Sequence, residues 1–310
     1  MKQAARWELS FRPLDGLFLL YVFPSGLLLV AGGVEDLHRA VLIGVHGVLI
    51  LIPFFVHRLL CREDFWSRLI ATVYPFLFLI LLYREVDVLN QLVSSEYHDQ
   101  EIQALEQALL MADFRERLVF WFPYAWLEAL LNAGYFSYYF LLPAVAIPLA
   151  LKSQWDTLEE FVFISFLTYA ICYALFIVYP VVGPFFVLHP AGSFDQKDWI
   201  SHVTYTIVSR WGDHGAAFPS AHVAVAVVVV VLARHYRLAS FWFLLPCAVG
   251  VTCGTVYCGY HYAVDVLAGI LLAVAVLAVA PRLHCVLKRL SWLSAPIPDA
   301  AASKGLKQTP

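Results

Sequence analysis

Eight apolar runs separated by short polar stretches constrain this chain more than any other feature. They lie at 14–33, 40–60, 69–83, 134–151, 161–182, 219–234, 241–259 and 263–281. A helix crossing the hydrocarbon core of a bilayer needs about 20 mainly apolar residues, because lipid offers its backbone no hydrogen-bond partners. The runs therefore predict an all-α polytopic membrane bundle of about eight transmembrane helices. They are too long for the alternating segments of an outer-membrane barrel. Composition agrees, with 61% apolar and 14% charged residues, against about 25% charged in ordinary soluble domains. A water-soluble enzyme, a disordered tail protein and a nucleic-acid module are excluded. The net charge of −3 is too small to imply a polyanionic partner.

The basic residues orient the bundle. With the N-terminus cytoplasmic, the opposite side keeps only Arg39, Arg84, Arg115, Arg117, Lys197 and Arg210 of the 20 Lys and Arg residues. Cytoplasmic loops carry the basic excess in membrane proteins, so both termini are expected to be cytoplasmic, in a bacterial-type inner membrane or its equivalent. The first run reads as an uncleaved span, since Ala31-Gly32-Gly33-Val34 matches a cleavage site only loosely. The six cysteines form no CxxC pair, so neither a disulfide framework nor a zinc cluster is expected, and buried thiols are. The tail from Ser294, rich in Pro, Ala and Lys, is expected to be disordered.

Two long segments, 84–133 and 183–218, fall on the extracytoplasmic side. In the first, Ile102, Leu105, Leu109 and Ala112 recur at helical spacing, with Glu101, Gln103, Glu106, Gln107 and Asp113 on the other faces. That pattern predicts a helix on the membrane surface or over a site, by its apolar stripe. Trp121, Phe122, Tyr124 and Trp126 read as an interfacial aromatic belt.

Two stretches at the extracytoplasmic ends of runs carry candidate chemistry. In Gly215-Ala216-Ala217-Phe218-Pro219-Ser220-Ala221-His222, Pro219 suits a first helical turn and Ser220 a cap. The unpaired N–H groups of such a turn make an anion site, with His222 beside them as a proton donor or acceptor. In the second, His261 and Asp265 stand four apart, which on a helix places them on one face. A carboxylate on one imidazole nitrogen fixes the tautomer and frees the other to attack. Asp265 begins an apolar run, where an ionisable residue is costly unless it functions. Either motif alone is common, and the His–Asp pair could be a structural bond or half of a metal site, with His214 and Asp213 as the candidates for further ligands. Both stretches nevertheless fall on one side by a charge count that did not use them.

Phe218-Pro219-Ser220-Ala221-His222 followed by His261-x-x-x-Asp265 resembles the type 2 phosphatidic acid phosphatase superfamily. The surrounding wording is most similar to its inositol-phosphorylceramide-synthase branch. The resemblance covers about 69–281, so the expected organisation is an N-terminal pair of extra helices (1–68), a six-helix core (69–281) and a cytoplasmic tail (282–310). It implies that His261 attacks phosphorus to form a phosphohistidine, oriented by Asp265. His222 would protonate the leaving oxygen and then activate water or an alcohol. Ser220 and the N–H groups after it, Ala221 first, would hold phosphate oxygens. The substrate would be a phospholipid, sphingolipid or polyprenyl phosphate in the membrane; no cofactor, metal or nucleic acid is implied.

The sequence departs from the family pattern at its cations. The region matching the first motif, Tyr179 to Pro190, contains no Lys or Arg, and Thr255 stands where the third motif commonly has Arg. Transferred phosphoryl groups normally meet cations, and Arg210, Lys197 and His189 are the nearby candidates, Arg210 first. The missing charges motivate one rival, a lipid carrier or flippase with the same fold and no catalysis, and the segment 84–133 offers another, a membrane scaffold that docks partners through it.

Overall fold

The computed structural model describes residues 12–34, 36–60, 62, 64–94, 96–111, 114–188 and 198–293. Its helices are α1 (Pro13–Ala31), α2 (Leu37–Leu60), α3 (Phe65–Arg84), α4 (Val86–Val93), α5 (Asp99–Leu110), α6 (Phe114–Trp121) and α7 (Ala125–Phe136), then α8 (Tyr138–Leu151), α9 (Trp155–Val178), α10 (Pro184–Leu188), α11 (Trp199–Trp211), α12 (Ala221–His235), α13 (Phe241–Tyr257) and α14 (Ala263–Leu293). Side-chain caps fix several starts: Asp64 accepts from the Ser67 N–H at 2.9 Å and Asp198 from that of Ser201 at 2.8 Å.

The protein is a polytopic helical bundle. Among the described residues five helices, α1, α2, α3, α9 and α14, are long and apolar enough to cross a membrane, and α7 with α8, bent by 41°, make a sixth if taken as one span. The sixth and seventh expected runs fall on α12 and α13, of 15 and 17 residues. At 1.5 Å per residue they reach only about 22 and 26 Å, short of the roughly 30 Å core.

Helix ends differ from the apolar runs for a physical reason. The fifth run was read from residue 161, yet α9 starts at Trp155, because its first-turn acids find partners across the bundle. Asp156 meets Lys288 at 2.6 Å, and Glu159 lies 3.8 Å from His284 and 3.7 Å from Arg12. Lys288 and His284 sit on the extension of α14 past 281, so part of the expected tail is helix. Residues 294–310, expected to be disordered, lie outside the described residues. Arg12 also donates to Ala71 O at 2.8 Å and pairs with Asp15, which accepts from the Tyr74 hydroxyl at 3.1 Å. This network closes one end of the bundle.

One apolar core joins α1, α2 and α3 to α8, α9, α12, α13 and α14. Phe18 of α1 packs on Tyr74 and Phe166 with centroids 5.1 and 5.7 Å apart, so the N-terminal pair shares its core with the rest. Cys172 and Cys258 are buried as expected, but Cys253 and Cys285 are exposed on helix surfaces. An apolar helix face turned to lipid needs no burial inside the protein.

The tightest helix crossing sets the position of the site. Gly250 and Gly254 lie one turn apart on α13 and face α7: a Cβ on Gly134 would stand 2.7 Å from Gly250 Cα, and one on Gly254 would strike the Leu131 carbonyl. Small residues allow such an approach where lipid supplies no hydrophobic drive. The crossing carries Tyr135 and, past the end of α13, Tyr260, whose rings stack at 4.0 Å. Gly254→Leu should therefore lower the melting temperature in detergent, as overpacking costs about 1–3 kcal/mol. Gly44→Leu, at a glycine with open space around it, should leave it unchanged. Equal effects would contradict this packing.

Candidate active site

The site grows from two loops pinned together by backbone bonds. After α9 the chain runs beside the loop preceding α12: Val181 N–H donates to Gly215 O at 3.2 Å, and Ala217 N–H to Val181 O at 2.9 Å. Helix α12 begins at Ala221, and Ser220 caps it by accepting from Val223 N–H at 3.4 Å. Pro219 does not open the helix, as its spacing predicted; it precedes the cap, after a cis peptide bond. Ser220 N–H donates to Asp265 O at 3.0 Å. That close approach needs Gly269, where a Cβ would lie 2.6 Å from Ser220 O.

His261 and Asp265 pair, but not along one helix face as four-residue spacing predicted. His261 sits in the turn before α14 and Asp265 in its first turn. The turn folds back, so that Tyr262 N–H meets Asp265 Oδ2 at 2.9 Å while His261 Nδ1 lies 3.5 Å from the same oxygen. His261 Nδ1 also lies 2.8 Å from Ala217 O. A carbonyl only accepts, so Nδ1 carries the proton and Nε2 keeps its lone pair. Nε2 faces His222 Nδ1 at 3.4 Å, and His222 Nε2 meets the Tyr135 hydroxyl at 3.0 Å. With Tyr135 donating, His222 Nδ1 carries a proton aimed at His261 Nε2. Asp265 is fully buried and His261 nearly so, so water competes little for these bonds.

The segment 84–133 covers this end of the bundle through α5, but with a face the sequence pattern did not select. Ile102 is buried, while Leu105 and Leu109 are 42% and 57% exposed. The inward face is polar. Asp99 accepts from Val182 N–H and Gly183 N–H, both at 2.9 Å, a nest opened by the positive φ of Gly183. Gln103 donates to the Tyr262 hydroxyl at 2.8 Å, and Glu106 accepts from Val264 N–H at 3.4 Å. An apolar-stripe rule cannot find a helix that docks on unpaired backbone donors. Ala112 and Asp113 lie outside the described residues. Trp121, Phe122, Tyr124 and Trp126 are all exposed.

A cavity of about 960 Å³ opens from the histidines and runs down α3 and α8, from Tyr83 to Phe65 and Trp66. Eighteen residues of α3 correspond to about 27 Å, close to the hydrocarbon thickness. Its rim includes Ile80, Trp66, Ile147 and Leu151, all more than half exposed on the helix surface, so it opens sideways. His222, His261 and Ala221 line its polar end. Arg210 is exposed on α11, and Ile207, Val208 and Trp211 are the residues of that helix that line the wall. Lys197 and His189 lie outside the described residues. Sequence reasoning missed Arg84, which reaches the cavity wall by an ion pair with Asp213; its signal was a cation closing an apolar run on the site side. The candidates for extra metal ligands are placed otherwise: Asp213 pairs with Arg84, and His214 stacks on Phe186 at 4.4 Å.

A family model described as the PAP2 superfamily matches residues 100–279, more than half of the chain. The chain belongs to the PAP2 superfamily. No curated protein and no solved structure matches it. PAP2 members are phosphatases or phosphotransferases, and the matched region contains α5, the capped start of α12 and the His261 turn. The matched range thus includes His222, His261 and Asp265.

Burial pushes the Asp213 carboxyl up to about 7, with Arg84 opposing the rise and Asp87 adding to it. An unperturbed aspartate titrates near 3.8, so folding takes up a proton between these values. From this group alone, stability is greatest at low pH, falls as pH rises from about 4 to 7, and is level above. Asp213→Asn should flatten that part of the melting-temperature profile. A profile parallel to the parent's would contradict the burial of this carboxyl.

Proposed function

We propose that the protein is an integral membrane lipid-phosphate phosphatase or phosphotransferase that works through a phosphohistidine at the extracytoplasmic face. The observation that carries this reading is the fixed tautomer of His261. Its Nδ1–H is held by Ala217 O and Asp265, and its Nε2 keeps the lone pair 3.4 Å from His222 Nδ1, with both histidines lining an apolar cavity that suits a lipid chain.

In the first step the Nε2 lone pair attacks phosphorus and the bond to the leaving oxygen breaks. His222, in its doubly protonated form with Nε2–H turned to the Tyr135 hydroxyl oxygen, gives its Nδ1 proton to the leaving oxygen and is left neutral, and Asp265 stabilises the positive imidazole ring of His261. In the second, water or an alcohol attacks phosphorus, the phosphorus–nitrogen bond breaks, and His222 takes the proton back. The first-turn N–H groups of α12, with Ser220 holding that turn, favour the phosphate oxygens through the helix dipole. The substrate is a phospholipid, sphingolipid or polyprenyl phosphate that enters sideways. The likeness to the inositol-phosphorylceramide-synthase branch favours an alcohol as the second attacker. A carrier would use the lateral groove equally well, but has no need of a pinned imidazole.

The test is product analysis with a lipid phosphate labelled in phosphate and chain, with and without a lipid alcohol. The parent should release phosphate or move it to the alcohol, and His261→Ala should lose this by at least about 10³-fold, as removal of a nucleophile does. Activity should peak between an acidic and a basic limb, since one histidine must be neutral and the other protonated, and should survive a chelator. Equal products from parent and variant would overturn the enzymatic reading and favour the carrier.

A further inference from the structure

The cavity that the histidines line also holds a carboxylate that nothing in the mechanism above uses. Asp213 is only 4% exposed and lines the same cavity as His222 and His261. One of its oxygens, Oδ1, pairs with Arg84 from the end of α3, and its own N–H donates to the Tyr83 hydroxyl at 3.2 Å. The other, Oδ2, is buried without a hydrogen-bond partner among the described residues. The Tyr83 hydroxyl meets the Asp213 N–H rather than this oxygen, and Phe186, Trp211 and Gly212 line the same cavity. A buried carboxylate oxygen is costly unless something donates to it, so the donor comes with whatever fills the cavity.

The chemistry of that donor is constrained. Arg84 already balances the charge of Asp213, so a second cation is not called for; a neutral hydroxyl completes the carboxylate without adding charge. Arg84 has five N–H donors and its side chain is 44% exposed, which leaves its head open to an anionic oxygen. A group that offers a hydroxyl next to a phosphate satisfies both residues at once.

We infer that Arg84 and Asp213 form a subsite for the alcohol side of the phosphoester, with Asp213 Oδ2 accepting from an alcohol hydroxyl and Arg84 facing a phosphate oxygen. This rests on the reading of the cavity as a lipid-phosphate site. The hydroxyl can belong to the head group that leaves or to the alcohol that enters. Asp213 is a specificity residue: it distinguishes hydroxyl-bearing groups from bare ones and takes no part in the bond changes at phosphorus.

The test uses the full chain in detergent and two soluble probes of equal charge, glycerol 1-phosphate and ethyl phosphate. The parent should bind the first about tenfold more tightly or better, and Asp213→Asn should bring the two together while still binding ethyl phosphate. Asp213→Glu should restore part of the preference. Equal binding of both probes by the parent overturns the subsite whatever the variants do, and so does a full preference in Asp213→Asn. Stronger binding of ethanolamine phosphate than of glycerol 1-phosphate overturns the hydroxyl assignment. A parallel assay sets the source. If added glycerol captures phosphate from the labelled enzyme tenfold less well in Asp213→Asn, the hydroxyl is the acceptor's; if capture is unchanged while the binding preference is lost, it is the head group's. Phosphate release that does not depend on His261 would overturn the enzymatic reading and leave the binding preference standing.

Discussion

The junction between the starts of α12 and α14 is what the rest of the site depends on. Ser220 donates its N–H to Asp265 O at 3.0 Å, and Ala217 O accepts from His261 Nδ1 at 2.8 Å. These two bonds tie motifs more than forty residues apart into one rigid unit. The second also decides which imidazole nitrogen carries the proton, and hence which keeps a lone pair. Gly269 lets α14 come close enough for both, and the Gly134–Gly250 contact brings α7, with Tyr135, up to His222.

Among the described residues most charge lies at the ends of the bundle, as the bilayer demands, the buried His46–Glu85 pair at 3.4 Å being an exception. At one end Arg12, Asp15, Glu159 and Lys288 close the helices. At the other, carboxylates of α5 are spent on backbone donors. Asp99 takes two N–H groups of the loop after α9 and Glu106 one at the start of α14. The cover over the site is thus held by directional bonds rather than by apolar area, and its outward Leu105 and Leu109 remain exposed. The cavity beneath is mostly carbon until it meets the histidines and Asp213. That division of surface suits a ligand with a long apolar body and a small polar head.

Much of this was legible in the sequence. The long apolar runs gave the helix class, because few alternatives tolerate such composition. The pairing of Pro-Ser-x-His with His-x-x-x-Asp pointed to side chains that the fold does bring together, His222 Nδ1 to within 3.4 Å of His261 Nε2 and His261 Nδ1 to within 3.5 Å of Asp265. What was not legible was geometric. Spacing placed His261 on a helix, whereas a turn brings it back to Asp265 through Tyr262 N–H. Periodicity chose the apolar stripe of α5, whereas the docked face is Asp99, Ile102, Gln103 and Glu106. Arg84 and Asp213 lie 129 positions apart, and no local pattern links them.

The central claim is that His261 attacks through Nε2 because Nδ1 is pinned. The most direct measurement is phosphorus NMR on protein quenched in alkali during turnover of a lipid phosphate, with the phosphorylated peptide identified by mass spectrometry. The account predicts one phosphate on His261, bonded to Nε2. Phosphate on Nδ1, on another residue, or on no residue while product accumulates would contradict it.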